Sequence, residues 1–191
     1  MLKLPRTIRL DPSDTFVFER AAEPGEWAVS GAFVFWNQDP ATLAPKRRVA
    51  LRSGFLGIES LGWSTLAIVT EASEAERLAV VARLAAQLLE KFGAPNPEAA
   101  RGAAEEEVAF AASLCDHPAQ TLLAVQRSTE EGQIRERFRT LKAREAAGDA
   151  DRLHAHARAF TFHEIEGEDE PAEEVDLPGL VGTDRMTGNR E

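Results

Sequence analysis

The sequence has no tyrosine, a single cysteine (Cys115) and two methionines among 191 residues. One thiol excludes a disulfide framework and any multi-thiolate zinc or iron–sulfur site within one chain. Basic residues are also short: 22 Lys and Arg face 32 Asp and Glu, for a formal charge of −10. Affinity for a phosphate backbone comes from a concentrated basic surface, so nucleic acid is not an expected partner. No stretch approaches the ~20 uncharged apolar residues of a membrane span. The first dozen residues reach charges and Pro5 too soon for a secretory signal. A cytoplasmic protein is expected. What the chain does have is core material, since Leu, Ile, Val and Phe make up about 24% of it, above the ~20% below which chains seldom fold.

The acid is concentrated at one end. Residues 166–191 hold nine acidic and two basic side chains, so this stretch carries −7 and the preceding 165 residues only −3. Glu166-Gly-Glu-Asp-Glu-Pro-Ala-Glu-Glu-Val-Asp176 has no periodic apolar face, and like-charge repulsion favours an extended chain there. The expected organisation is one domain over 1–165 followed by an acidic, disordered tail over 166–191. Val175 to Val181 keeps open a docking role for that tail.

The body reads as α+β, an antiparallel sheet with two helices packed on one face. Phe16-Val-Phe18 after Asp11-Pro-Ser-Asp14, and Trp27 to Trp36 after Glu23-Pro-Gly25, predict an antiparallel pair of strands. Asn37 to Arg48 reads as a polar loop and Thr65 to Thr70 as a buried strand. Ser73 and Glu76 form a capping box ahead of Leu78, Val81, Leu84, Leu88 and Phe92, predicting a helix over 74–92 closed by Gly93. Asn96-Pro97 opens a second helix to about Leu114. Gln120 to Gln126 is a further strand. Residues 134–141 fit either a strand or a helical stripe, and a hairpin through Gly132 favours the strand. A helical or mobile segment over 142–152 and a last strand over 159–165 complete the reading.

Each candidate for chemistry has a plainer alternative. Gly57-Ile-Glu-Ser-Leu-Gly62-Trp63-Ser64 approaches the phosphate-cradling loop, but Trp63 replaces its lysine and a strand follows, so turn glycines are expected. Cys115-Asp116-His117 sits at a helix C-terminus, where the partial negative charge disfavours a thiolate, so Cys115 reads as a core thiol. Glu105, Glu106 and Glu107 point about 100° apart on a helix and cannot converge on one metal. Glu107 alone aligns with Phe110 and Leu114, and its burial would raise its pKa. His154 and His156 are weak metal-ligand candidates, and His163 lies at the wrong spacing to join them. No cofactor is expected. Arg135, Arg137 and Arg139 would form a ladder on one strand face, extended by Arg127, suited to carboxylate or phosphate. Alternatively that face is salt-bridged to Glu130 and Glu131, or covered by the acidic tail.

Leu10 to Arg20, Gly25 to Phe35, Arg52-Ser-Gly-Phe-Leu-Gly57, Leu61-Gly-Trp-Ser-Thr65 and Phe110 to Pro118 carry a resemblance. Over about residues 1–141 the chain resembles an uncharacterised bacterial domain-of-unknown-function family. That resemblance implies the genetic company of molybdenum-dependent formate dehydrogenase-type oxidoreductases and their maturation proteins, and it supplies no catalytic residues. Two functions are therefore expected as alternatives. The first is a non-enzymatic accessory protein that binds a protein partner, or a second copy of itself, through Phe55, Trp63 and the tail. The second is an anionic-ligand module or minor enzyme built on Arg135, Arg137 and Arg139.

Overall fold

A computed structural model describes residues 1–130 and 132–141. The segments 142–152, 159–165 and 166–191, with His154, His156 and His163, lie outside the described residues. The architecture is α+β, with two antiparallel sheets and helices placed beside them. Strand β1 (Lys3–Ile8) pairs with β5 (Leu66–Glu71), β5 with β6 (Leu122–Glu130), and β6 with β7 (Gln133–Leu141). A small sheet of β2 (Ala28–Val29), β3 (Phe55–Gly57) and β4 (Trp63–Ser64) adjoins the free edge of β1, through a bridge between Arg6 and Trp27.

The two long helices form as their sequences require. In α3 (Glu74–Lys91) the Ser73 hydroxyl accepts from the Glu76 N–H at 3.2 Å, while the Glu76 carboxylate accepts from the Ser73 N–H at 2.8 Å. Asn96 caps α4 (Pro97–Ser113) by accepting from the Ala99 N–H at 2.8 Å. The buried face of α4 is Ala100, Ala104, Val108 and Ala111, small residues that let α3 approach with Val80, Val81, Leu84 and Leu88. Farther along α4, Phe110 meets Phe138 of β7 edge-on at 5.7 Å. Cys115 packs with Val69, Leu123 and Val125. The helix thus covers the sheet face that carries the even-numbered residues of β7.

The first 36 residues depart from the sequence expectation. Ser13–Val17 is a short helix, α1, not the approach to a strand. Asp and Ser signal helix caps as well as turns, and the Asp11 carboxylate accepts from the Ser13 N–H at 2.7 Å. Asp14 is buried and accepts from the Thr65 hydroxyl at 2.6 Å and the Thr65 N–H at 3.2 Å, which fixes this turn to the start of β5. The strand from Trp27 stops at Val29 because Gly31 adopts φ +77°, and the chain then makes a 3-10 turn over Ala32–Phe35. That turn lays Phe35 against Trp63 at 5.2 Å and Phe33 edge-on to Phe92 at 5.3 Å. The predicted pairing around Gly25 is replaced by pairing to β1, with the Thr7 N–H donating to the Glu26 carbonyl at 2.9 Å. The expected loop through Arg48 gives way at Pro45 to helix α2 (Pro45–Ser53), with proline at its first turn.

Candidate functional site

The 133–141 segment is a strand, turned at Gly132 with φ +78°. Glu130 pairs with Gln133, so Ser128 faces Arg135, Arg127 faces Glu136, Gln126 faces Arg137 and Ala124 faces Arg139. Arg135, Arg137 and Arg139 are exposed on one face, while Ile134, Glu136, Phe138 and Thr140 are half-buried on the other. Arg135 pairs with Glu130 at 3.7 Å. Arg139 alone of the three lines a hollow of about 450 Å³, with Arg52, Val49, Ser53 and Gln126.

Arg127 does not extend this ladder. It points to the opposite face, and its side chain is fully buried beside Glu136. Its Nε donates to Glu136 Oε1 at 2.7 Å, and Nη1 donates to the carbonyl oxygens of Gly54 at 2.8 Å and Leu51 at 3.2 Å. Nη2 donates to the Ser30 carbonyl and, at 3.1 Å, to the Ser30 hydroxyl, which in turn donates to Glu136. One guanidinium therefore ties the hairpin to the end of α2 and to the chain after β2. Burial works against its charge, and the Glu136 carboxylate offsets that. The signal was present in the sequence: a turn at Gly132 that pairs Glu130 with Gln133 sets the register, and counting back places Arg127 opposite Glu136.

Glu107 of α4 completes the cluster. Burial pushes its carboxyl up to about 7, the Glu136 charge adds to that rise, and Arg127 opposes it. Its Oε2 is shielded from solvent with no hydrogen-bond partner. A carboxyl in this state is a proton donor as readily as an acceptor at neutral pH.

Glu107 lies on the wall of an open cleft of about 810 Å³ between the Ala32–Pro40 segment and the β6–β7 turn. Phe33, Phe35, Trp36 and Ile134 supply its apolar surface, and Asp39 and Gln133 are among its polar groups. Trp36 is 78% exposed. Asn37 holds φ +60° at this rim, which turns the chain away directly after the tryptophan. Neither Arg135 nor His117 lines this cleft.

The remaining candidates fall elsewhere. Phe55 and Trp63, expected at a partner surface, are core residues at 0% and 9% exposure; Phe55 packs with Ala67, Val69 and Leu123, and Trp63 stacks on Phe35. A glycine-spaced aromatic segment reads equally as a display loop or as close packing, and here it is packing. Gly57 and Gly62 flank the β3–β4 turn. Cys115 is buried, and burial pushes its thiol up to about 12. The His117 carbonyl accepts from the Lys3 ammonium. Glu105 pairs with Arg101 at 2.9 Å. Among the described residues no cluster of three or more His, Cys, Asp or Glu is placed to hold a metal ion, and no helix is long and apolar enough to cross a membrane.

Residues 1–159 match the model of a family of unknown function, DUF6505, and the chain belongs to that family. No curated protein and no solved structure matches the chain.

Proposed function

We propose that this member of the family is a non-enzymatic accessory protein whose partner docks on the cleft bearing Phe33, Phe35 and Trp36. The observation that carries the reading is Trp36, 78% exposed on the rim of a cleft that also holds Phe33 and Phe35. Large aromatics are enriched at interface cores, where they bury much apolar area at small entropic cost. The partner class we propose is a large redox enzyme of the formate dehydrogenase type or one of its maturation proteins, as the resemblance stated from the sequence would imply. The test is quantitative capture from native lysate of the source cells with wild type and Trp36→Ala side by side. Subunits of such an oxidoreductase retained by wild type and lost by the variant support the reading; identical recovery by both ends it.

A second reading, an anionic-ligand module, draws on Arg52 and Arg139 facing one hollow of about 450 Å³. Two guanidinium groups there suit a small polycarboxylate. Calorimetric titration with citrate tests it: binding that disappears in Arg139→Ala supports the site, and no heat with wild type at low salt removes it.

A further inference from the structure

We infer that the Trp36 cleft takes an arginine side chain from the partner's docking segment, an inference that rests on the docking reading above and names its chemistry. The groups that line the cleft are of two kinds, aromatic faces and acids. Trp36 is exposed and Phe33 half-buried, so their rings carry negative quadrupoles at the cleft surface, while Phe35 is buried beneath them against Trp63; Asp39 is an exposed carboxylate and Glu107 a largely buried carboxyl on the wall. No Lys, Arg or His is among the described residues that line it. Arg127, behind the wall, is committed to Glu136, Ser30 and three carbonyl groups of the α2 end.

The molecule already shows that a guanidinium suits this surface. Arg47 lies 5.7 Å from the centre of the Phe35 ring and donates to the Gln38 side-chain oxygen at 3.1 Å, and both Phe35 and Gln38 line the cleft. A second arrangement of the same kind holds Arg6 over Trp27 at 3.7 Å, with a hydrogen bond to the Gly25 carbonyl. An incoming arginine would stack on the exposed Trp36 ring while its N–H groups reach Asp39, in the cleft whose wall holds the Glu107 carboxyl. A lysine ammonium would neutralise the same charge but lacks the planar fork that stacks and hydrogen-bonds together.

The charged groups facing Glu107 are Glu106 on its own helix, Arg127 on β6, Glu136 on β7 and Asp39 across the cleft. Burial first, then Glu136 and Glu106, raise the Glu107 carboxyl to about 7 against the pull of Arg127, so about half of it holds a proton at pH 7 in the empty cleft. An arriving cation favours the ionised form, so binding near pH 7 releases a fraction of a proton from Glu107, up to about half of one.

The probe is the peptide acetyl-Gly-Arg-Gly-amide, set against its citrulline counterpart, which has the same shape without the charge. Titrated into the full chain, the arginine peptide is expected to shift the Trp36 indole N–H resonance saturably, assigned by its loss in Trp36→Phe. The citrulline peptide should bind roughly fivefold more weakly or worse. Asp39→Asn should weaken the arginine peptide and raising the salt should do the same, as an exposed charge pair requires. Calorimetry in two buffers of different ionisation enthalpy should detect proton release with wild type and none with Glu107→Gln. Equal affinity for the two peptides, or a Trp36 resonance unmoved at millimolar arginine peptide, overturns the inference. The docking reading fails separately: a Trp36→Ala variant that keeps its partner ends that reading, whereas peptides bound equally well leave it standing without the cation preference.

Discussion

Arg127 and Glu136 face each other across the β6–β7 hairpin on the face away from the arginine ladder, joined Nε to Oε1 at 2.7 Å, with the arginine side chain wholly out of solvent. Removing one member of such a pair strands the other, together with the carbonyl groups of Ser30, Leu51 and Gly54 that the guanidinium satisfies. Arg127→Ala is expected to cost about 3–5 kcal/mol in urea denaturation. Arg127→Lys should recover little of it, because an ammonium cannot reach three separate backbone groups with fixed forks. A loss below 1 kcal/mol for Arg127→Ala would show that the cluster contributes little to stability.

Glu107 should impose a pH dependence on stability. The unfolded chain releases this proton above about 4.5 and the folded chain only above about 7. Between those values the folded state holds more protons, so stability falls as pH rises; outside the window Glu107 adds no slope. The total is at most ~3 kcal/mol, reduced by the residual solvent contact of the carboxyl. Glu107→Gln is expected to flatten that part of the stability curve and to be more stable than wild type at pH 8. Parallel curves for the two proteins across pH 4 to 8 would refute this.

Cys115 should be chemically silent in the folded protein. Its thiol lies beneath the end of α4 among Val69, Leu123 and Val125, and burial holds its pKa near 12, so almost no thiolate forms at pH 8. An aromatic disulfide reagent is expected to give no reaction under native conditions and one equivalent in urea. Reaction at the same rate in both states would place the thiol at the surface.

Two glycine-to-alanine changes should act in opposite directions. A Cβ at Gly62 would lie 2.5 Å from the Ala21 carbonyl oxygen, where the backbone of residues 20–22 runs alongside β4, so Gly62→Ala is expected to cost about 1–3 kcal/mol. A Cβ at Gly102 in α4 meets nothing within 4 Å, so Gly102→Ala is expected to stabilise by ~1 kcal/mol through helix propensity. Urea midpoints measured side by side decide both.

The residues missed by sequence reasoning share a cause. Phe16 to Phe18 and Trp27 to Trp36 have strand-like composition, yet the buried Asp14 carboxylate and the left-handed Gly31 turn those stretches into a helix and a 3-10 turn. Local propensity was outweighed by contacts to Thr65, Leu56 and Trp63, which lie far along the chain. Pro5 removes a backbone donor from Lys3–Ile8. The strand forms nonetheless, with Thr7 paired to Ala67 on one side and bonded to Glu26 on the other.

By itself the sequence determined the parts whose physics is local. Ser73 with Glu76 starts α3, Asn96 with Pro97 starts α4, and Gly132 turns a hairpin whose odd-numbered arginines must share one face. Tertiary structure alone decided which aromatic side chains stay exposed. Phe55 and Trp63 became core because the small sheet folds against β1 and the 3-10 turn, and Trp36, one residue past that turn, was left in solvent. It also decided the state of Glu107, since a carboxyl's pKa depends on what surrounds it, and the β6–β7 hairpin that brings Arg127 and Glu136, like the Ala32–Pro40 segment of the cleft, is distant from Glu107 along the chain.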